Sequence, residues 1–340
     1  MNYIFCPSYS SVFFALHLKN LGKEIKIITD NISVKKYCKA ADIECIYFDY
    51  IGVPITAPYK IFILKSRIDN LIKKIGIKKE DKFYLLDNSF TINGFYLAKK
   101  WSKKGNVYFN NLERSFNIYR ENKYLDLSFL ARTSLRYLFK IFLGFDLIFL
   151  EVNSAPVFGI NDKFLEKNKI KKLSLNKNLR ELQLDAMRKS HIKQKGCDNL
   201  IITQGSLPGI VNEESVKKMY KSLLLLPSKF AVKHHPGVIK IEKSGDILFK
   251  GLFRNCDELP DYIPAELLFN NVKKSIISIY STSLIPASQL EHIKAISLLE
   301  LVKWNNPSYK KEVKNFLIKE SNNGIIFVKS FGELNTLLEN

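Results

Sequence analysis

A basic, imidazole-containing turn follows one of the strand-like segments of this chain. The apolar run 230–232 leads directly into Lys233-His-His-Pro236 and then Gly237. A side chain at the end of a parallel strand lies at the sheet edge where ligands bind, and Pro236 stiffens the turn that aims His235. An imidazolium can donate a hydrogen bond to a phosphate or protonate a departing phosphate oxygen. A purely structural turn is the alternative interpretation.

A hydroxyl-rich segment follows a second strand-like run, 275–279. Three hydroxyl residues stand in a row: Ser281, Thr282 and Ser283. The pattern then predicts a helix over 285–292. Hydroxyl and backbone N–H groups at the start of a helix can form a phosphate site assisted by the helix dipole. Ordinary helix capping by Ser or Thr is the alternative.

A carboxylate lies between these two segments. Pro264 is expected as the first residue of a helix over 264–270, which places Glu266 in the first turn. There it could accept hydrogen bonds from ribose hydroxyls or a base amine, although a favourable interaction with the helix dipole explains it equally well.

Two further carboxylates follow the strand-like run 200–203. The loop Gln204-Gly205 comes first, and Glu213 and Glu214 then stand at the start of a predicted helix over 214–225. A carboxylate in such a loop can act as a general base, although a solvated surface charge is the simpler interpretation of any single glutamate.

The elements that would position these residues alternate between strand and helix, which is typical of βαβ units and a parallel sheet. The predicted strands are 3–6, 25–29, 43–47, 83–86 and 107–109, then 200–203, 230–233, 247–249 and 275–279. The predicted helices are 10–21, 34–41, 60–75 and 94–103, then 214–225, 264–270 and 285–292.

The alternation occurs twice, with a polar, Lys- and Asn-rich segment over 159–177 between the two sets. The chain length of 340 residues also favours two domains. We therefore predict an α/β fold of GT-B type, with two Rossmann-like domains facing a central cleft. We expect residues 1–165 to form the N-terminal domain and residues 166–340 the C-terminal domain.

The composition limits the partners. A net charge of +20 favours acidic ligands or anionic surfaces, but the lysines are spread along the chain and no groove-reading motif accompanies them, so nucleic acid is not expected. Neither GxGxxG nor GxxxxGK[ST] occurs, which removes support for dinucleotide and P-loop sites. Five cysteines without metal-ligand spacing fit a reducing cytoplasm, without structural disulfides or zinc.

No membrane-spanning segment or signal peptide is predicted. The most apolar stretch, 135–150, is interrupted by charged residues and is shorter than the roughly 20 residues that a spanning helix needs. We expect an amphipathic helix that ends at Gly144, followed by a buried strand through Leu150. Its Arg, Lys and aromatic content is also compatible with peripheral contact at the inner membrane surface.

The ordered set of QG loop, KHHP, IPAE and STS resembles the bacterial sialyltransferases of GT-B fold, in particular the lipooligosaccharide sialyltransferase family and, more distantly, the bacterial polysialyltransferases. The likeness is clearest over 200–287. It implies that His235 and Pro236 contact the phosphate of a CMP-sugar, together with the three hydroxyl residues, and that Glu266 lies near the cytidine. It also implies that no metal or other cofactor is needed.

The expected acidic pair near the end of an N-terminal strand is absent. Asn110 and Asn111 stand there, followed by Glu113. Glu113 could supply the general base; otherwise Glu213 or Glu214 could, and we favour one of these two. The candidate donor-binding residues are Gln204, Gly205, Lys233, His235, Pro236, Gly237, Glu266, Ser281, Thr282 and Ser283.

The resemblance implies an inverting transferase that moves sialic acid or a related nonulosonic acid from its CMP ester to a hydroxyl of a surface glycan, lipooligosaccharide or capsule. Two alternatives stay open. One is a GT-B enzyme with a UDP-, CDP- or CMP-Kdo-type donor, and the other is a non-enzymatic polyanion-binding protein whose only support is the net charge.

Overall fold

The structure is a computed structural model. It describes residues 1–50, 57–86, 92–112, 119–121, 134–144, 147–152, 155–190, 192, 196–203, 210–235 and 251–339. The chain divides into two compact units, Met1–Leu182 (unit 1) and Gln183–Asn340 (unit 2). Each unit is built around its own parallel six-stranded sheet.

Unit 1 contains the first sheet and its helices. The strands are β1 Asn2–Phe5, β2 Ile25–Thr29, β3 Cys45–Tyr47, β4 Lys82–Leu85, β5 Asn106–Phe109 and β9 Lys171–Lys172. The helices are α1 Tyr9–Asn20, α2 Ile32–Ala40, α3 Lys60–Ile75, α4 Ile92–Trp101 and α5 Asp162–Lys167. Three further strands pair antiparallel in a separate sheet: β6 Tyr119–Glu121, β7 Ile148–Val152 and β8 Ala155–Gly159.

Unit 2 contains the second parallel sheet. Its strands are β10 Cys197–Ile202, β11 Phe230–Lys233, β12 Asp257–Glu258, β13 Val272–Ser278, β14 Lys294–Ser297 and β15 Ile325–Phe327. Its helices are α7 Glu213–Leu224, α8 Leu284–Ala287, α9 Pro307–Ser321 and α10 Phe331–Glu339, with short 3₁₀ helices at Ala265–Asn271 and Leu299–Leu301. Helix α6, Leu179–Arg188, crosses the boundary between the units.

The two sheets share one strand order. The first runs β3-β2-β1-β4-β5-β9 and the second β12-β11-β10-β13-β14-β15. Each is the doubly wound Rossmann order, and it reverses direction beside its first strand. This confirms the prediction of two Rossmann-like domains. Ligands of such sheets bind at the carboxyl ends of the strands next to that reversal.

Apolar periodicity explains why the helices lie on the sheets. In α3, Ile61, Leu64, Ile68 and Ile72 recur at helical spacing and are all buried in the unit 1 core. The helix ends at Gly76, whose φ of 64° is a left-handed conformation that glycine adopts readily.

The segment after residue 134 follows the prediction. Residues 134–143 are helical, with a π-helical last part at Phe139–Leu143, and Gly144 at φ 68° ends the helix. Strand β7 follows, as expected. In the described part of the chain, no helix has both the length and the hydropathy that crossing a bilayer requires.

The connection between the domains lies later than predicted. The segment 159–177 contains α5 and β9, and β9 pairs with β5 as the last strand of the first sheet. The predicted change of domain after residue 165 therefore falls inside unit 1. Strand β9 is an exposed, two-residue edge strand made of two lysines, which agrees with the polar composition of this segment.

Two predicted helices in unit 2 were wrong in kind or length. The segment 264–270 is a 3₁₀ helix with Pro264 at its N-cap. The helix predicted over 285–292 is the single turn α8, because Gln289 and Leu290 donate to Pro286 and Ala287 in i→i+3 bonds that end it. The strand predicted over 247–249 lies outside the described residues.

Candidate active site

The carboxyl ends of β10, β11 and β13 meet where the strand order of the second sheet reverses. Thr203 follows β10 and His235 follows β11. The Thr203 hydroxyl accepts a hydrogen bond from the His235 backbone N–H at 2.9 Å, and the Thr203 N–H donates to the Lys233 carbonyl at 3.1 Å. These bonds fix the path of the chain at the turn that carries the imidazole.

Lys233 is the buried cation of this region, with 3% of its surface exposed. Its ammonium donates to the carbonyl oxygens of His234 at 3.1 Å and Asp261 at 3.0 Å. Loss of hydration lowers the pKa of Lys233 to about 8, and the charges of Asp261 and Glu266 oppose that shift. The side chain thus joins the turn after β11 to the segment before the Ala265–Asn271 helix and is charged at pH 7.

Glu266 lies in the first turn of the Ala265–Asn271 helix, as predicted, and it is buried there. One carboxylate oxygen accepts hydrogen bonds from the Gln183 amide at 3.0 Å and from the Ser283 hydroxyl at 2.9 Å. Burial raises the pKa of Glu266, while a bond to its own backbone, the Ser283 bond and the Lys233 charge oppose the rise.

Glu266 therefore joins three separate segments of unit 2, one of which the sequence analysis missed. Gln183 was not selected because a glutamine in an amphipathic helix carries no signal of its own. Among the described residues, its amide oxygen is buried and has no hydrogen-bond partner. The Glu266 carboxylate and the Gln183 oxygen make this a site rich in acceptors, which suits a ligand that donates hydrogen bonds.

The hydroxyl segment Ser281–Ser283 after β13 is held in place at both ends, but the backbone N–H groups at the start of α8 are not available to bind a phosphate. The Ser297 hydroxyl donates to the Ile279 carbonyl at 2.7 Å, and the Ser283 hydroxyl is held by Glu266. The Ser283 N–H already donates to the Ser281 hydroxyl oxygen at 3.2 Å. The N–H groups of Leu284 and Ile285 are likewise bonded within this turn.

The phosphate cradle that was predicted at a helix start therefore loses its basis here. Helix α8 is one turn long, and its first N–H groups are occupied. What the segment offers instead are hydroxyls, with Ser281 half-buried and Thr282 exposed.

The two histidines of the turn differ in setting. His235 is exposed to solvent. The protein atoms around the His235 ring partly displace its hydration, and this loss of hydration lowers the pKa of His235 to about 4, with a smaller contribution from the Lys233 charge. Without a ligand, the imidazole is therefore neutral at pH 7. His234 instead packs edge-on against Phe253 at 5.6 Å between ring centroids and lies 3.7 Å from a Glu258 oxygen. Of the two, His235 is the one that a ligand can reach.

Glu213 and Glu214 are exposed in the first turn of α7, which Asn212 caps by accepting from the Ser215 N–H at 2.9 Å. Among the described residues, no hydrogen bond or ion pair joins either carboxylate to Lys233 or Glu266. The remaining predicted site residues lie outside the described residues: Glu113, Gln204, Gly205, Pro236 and Gly237.

Unit 1 has a polar cluster at the same relative position in its sheet. Asp30 follows β2, is 9% exposed, and accepts a hydrogen bond from the Asn93 amide at 2.7 Å. Its neighbours hold the loop: the Thr29 hydroxyl donates to the Cys6 carbonyl at 2.6 Å, and the Asn31 amide donates to the Pro7 carbonyl at 2.9 Å.

Asp30 is a carboxylate that the sequence analysis did not select. The available signal was its position directly after a predicted strand. Asn93, its partner, comes from helix α4 and is distant in sequence, so the pairing itself could not be seen. In the described part of the chain, no group of three His, Cys, Asp or Glu side chains is arranged to hold a metal ion.

Comparison with known proteins gives a fold and no family. No protein-family model and no curated protein matches the chain. Among solved structures, UDP-GlcNAc 2-epimerase of Methanocaldococcus jannaschii in complex with UDP-GlcNAc and UDP is similar at 14% identity and TM-score 0.50, covering 100% of this chain and 92% of that one.

Two further neighbours are more distant. The S. aureus MnaA–UDP structure is similar at 12% identity and TM-score 0.48, covering 95% of this chain and 91% of that one. Acinetobacter baumannii MurG is similar at 11% identity and TM-score 0.36, covering 99% of this chain and 90% of that one.

The two parallel sheets and the epimerase likeness show an α/β fold of GT-B type with two Rossmann-like domains. None of these three neighbours is named as a sialyltransferase. The narrower resemblance stays a prediction that rests on the motifs.

Proposed function

We propose that the protein is an inverting glycosyltransferase that moves sialic acid or a related nonulosonic acid from its CMP ester to a hydroxyl of a bacterial surface glycan. The observation that carries the proposal is the convergence of His235, Thr203 and the Ser281–Ser283 segment on one edge of the second sheet, beside buried Lys233 and Glu266. The order of these residues along the chain is also that of the sialyltransferase motifs.

In the proposed reaction, the acceptor hydroxyl oxygen attacks the anomeric carbon and forms the new glycosidic bond. The bond from that carbon to the CMP phosphate breaks, and CMP leaves with the electron pair. The hydroxyl proton passes to a carboxylate. No oxidant or reductant is involved, so atoms and charge balance among donor, acceptor and base.

The side chains of unit 2 suit the departing phosphate. The Lys233 charge provides a positive field, the exposed His235 imidazole donates a hydrogen bond, and Ser281 and Thr282 add hydroxyls. An arriving phosphate charge favours the imidazolium, which would raise the pKa of His235 from its low value in the free protein and prepare it to protonate the leaving group. We propose that these groups act without a metal or another cofactor.

A second donor class has a specific observation in its favour. The structural neighbour with TM-score 0.50 was solved with UDP-GlcNAc and UDP. A GT-B enzyme with another nucleotide-activated donor is therefore the alternative, and the nucleotide decides between the two.

Thermal stabilisation by nucleotides tests the proposal. The purified chain is heated with CMP, UMP, GDP or AMP in EDTA, and we expect CMP to raise the melting temperature most, because selective binding to the folded state stabilises it. His235→Ala should abolish the CMP effect. His292→Ala, which removes an exposed histidine elsewhere in unit 2, is the matched control and should preserve it.

A larger shift with UMP or GDP would replace the CMP-sugar proposal by the alternative donor. Equal shifts with all four nucleotides, or no shift with any of them, would remove the selective CMP site and leave the polyanion-binding interpretation.

The general base is proposed among Glu213, Glu214 and Glu113. Transfer from a CMP-linked nonulosonic acid to a glycan acceptor is measured for Glu213→Gln, Glu214→Gln and Glu113→Gln. The base variant should lose about 10²–10⁴-fold in kcat with the CMP-induced thermal shift unchanged. A variant that loses both has lost the fold or the donor site instead.

We propose that the reaction takes place in the cytoplasm, where the CMP-sugar donor and the growing glycan are the partners and nucleic acid is not.

A further inference from the structure

Two neighbouring helices of unit 1 expose large apolar side chains on one ridge each. Tyr59, Phe62 and Ile63 belong to the start of α3, and Tyr137 and Ile141 belong to the 134–143 helix. They are between 42% and 70% exposed, and they are five of the nine large hydrophobic side chains that are exposed in the described part of the chain. We call these five residues the apolar patch.

The patch is not the result of incomplete packing, because the opposite faces of both helices are buried. Ile61 and Leu64 of α3 are in the unit 1 core, as are Phe139 and Leu143 of the second helix. Spacings of three and four residues put each exposed set on one helix face. The patch is therefore an additional apolar face on well-packed helices.

Direct contacts hold the two helices together. The Phe62 and Phe142 rings meet edge to face with centroids 4.7 Å apart. The end of the second helix is also held to α4, whose Lys99 ammonium donates to the carbonyls of Leu143 and, at 2.9 Å, Gly144. The two ridges thus form one surface.

The charges carried by these two helices are mostly positive, although Arg67 is paired with Asp49 at 3.3 Å. The two helices together carry seven basic residues and one acidic residue, Asp69, which is paired with Lys100 at 2.7 Å. The seven are Lys60, Lys65, Arg67, Lys73, Lys74, Arg136 and Lys140.

We propose that the apolar patch and its basic surroundings dock unit 1 on the surface of a membrane that contains anionic lipid. Apolar side chains that enter the headgroup region, flanked by Lys and Arg, are the features of an interfacial helix. Tyr59 and Tyr137 add rings with a polar end, which suit the boundary between water and lipid. Protein-binding surfaces are depleted in lysine, so the charge pattern favours lipid over a protein partner.

Vesicle sedimentation tests the proposal with the full chain. The protein is mixed with vesicles of phosphatidylcholine alone or with a quarter phosphatidylglycerol, at low and high salt. We expect binding to the anionic vesicles that weakens with salt. The triple variant Ile63→Ser, Tyr137→Ser, Ile141→Ser should bind at least about ten-fold more weakly, since it removes three apolar insertions.

A matched control distinguishes an effect of the apolar patch from a general effect of exposed apolar side chains on vesicle binding. Leu21→Ser and Leu225→Ser remove exposed leucines, 58% and 85% exposed, away from the patch and should leave vesicle binding unchanged. Lys65→Glu should weaken binding to anionic vesicles without altering the melting temperature, because this side chain is exposed.

Equal vesicle binding by the triple variant and the native chain would overturn the proposal. So would a native chain that forms a dimer, does not bind vesicles, and becomes monomeric in the triple variant, because the patch would then be a contact between two copies. The test is independent of the proposed reaction, since it needs neither donor nor acceptor.

Discussion

The ionisation of Lys233 affects the stability of unit 2, because its pKa differs between the folded and the unfolded chain. Its pKa is lowered to about 8 by burial, so between pH 8 and the ordinary lysine value the unfolded chain binds a proton that the folded chain does not. Stability from this group therefore rises with pH across that window. Below pH 8 the side chain is charged in both states, and its hydrogen bonds to His234 and Asp261 offset part of the cost of burial.

Replacement of Lys233 by Met should remove this pH dependence. From pH 8 to 10.5 we expect the free energy of unfolding of the native chain to rise by up to about 3 kcal/mol relative to Lys233→Met, since one unit of pKa shift corresponds to about 1.4 kcal/mol. Urea denaturation at several pH values measures the difference. Lys229→Met, which replaces an exposed lysine just before the same strand, is the control: its free energy of unfolding should change with pH as that of the native chain does. If the Lys233→Met variant also showed the same pH dependence as the native chain, the lowered pKa of Lys233 would be contradicted.

Gly94 lets helix α4 lie close to the first sheet, and this position of the helix supports the hydrogen bond from Asn93 to Asp30. A Cβ on Gly94 would lie 2.6 Å from Phe5 Cε1 and 3.0 Å from Leu85 Cδ1, so this helix approaches β1 and β4 more closely than an alanine permits. The close approach brings Asn93, the preceding residue, to the Asp30 carboxylate.

Gly94→Ala should therefore move the helix and weaken the Asn93–Asp30 bond. We expect a loss of about 1–3 kcal/mol in the free energy of unfolding from overpacking, measured by thermal or urea denaturation. Gly332→Ala, in α10, is the control: its nearest neighbour would be 3.8 Å away, and the substitution should be neutral or slightly stabilising. A neutral Gly94→Ala would show that α4 can shift without cost.

For the whole molecule, the net charge of +20 raises the question whether ligand binding is site-specific. A protein that binds polyanions through many cations loses affinity steeply with salt, by about 10³–10⁵ between 50 and 200 mM when six to ten contacts are made. A mononucleotide held at one site engages few charges. We expect CMP affinity, measured by calorimetry, to fall less than about ten-fold over the same range. A steep loss would favour the polyanion-binding protein.

The sequence by itself determined the two Rossmann-like domains, most strand positions and the ends of β11 and β13, because alternation and apolar periodicity are local properties of the chain. It could not show that Gln183, Glu266 and Ser283 form one hydrogen-bonded group, because Gln183 and Glu266 are 83 positions apart. Nor could it show that α8 is a single turn, since the bonds that occupy its N–H groups form only in the folded loop. Burial separates what the sequence shows from what the fold decides: it lowers the pKa of Lys233 and raises that of Glu266. Burial is set by the packing of distant segments, so only the tertiary structure decides which of these side chains is charged and which one a ligand can reach.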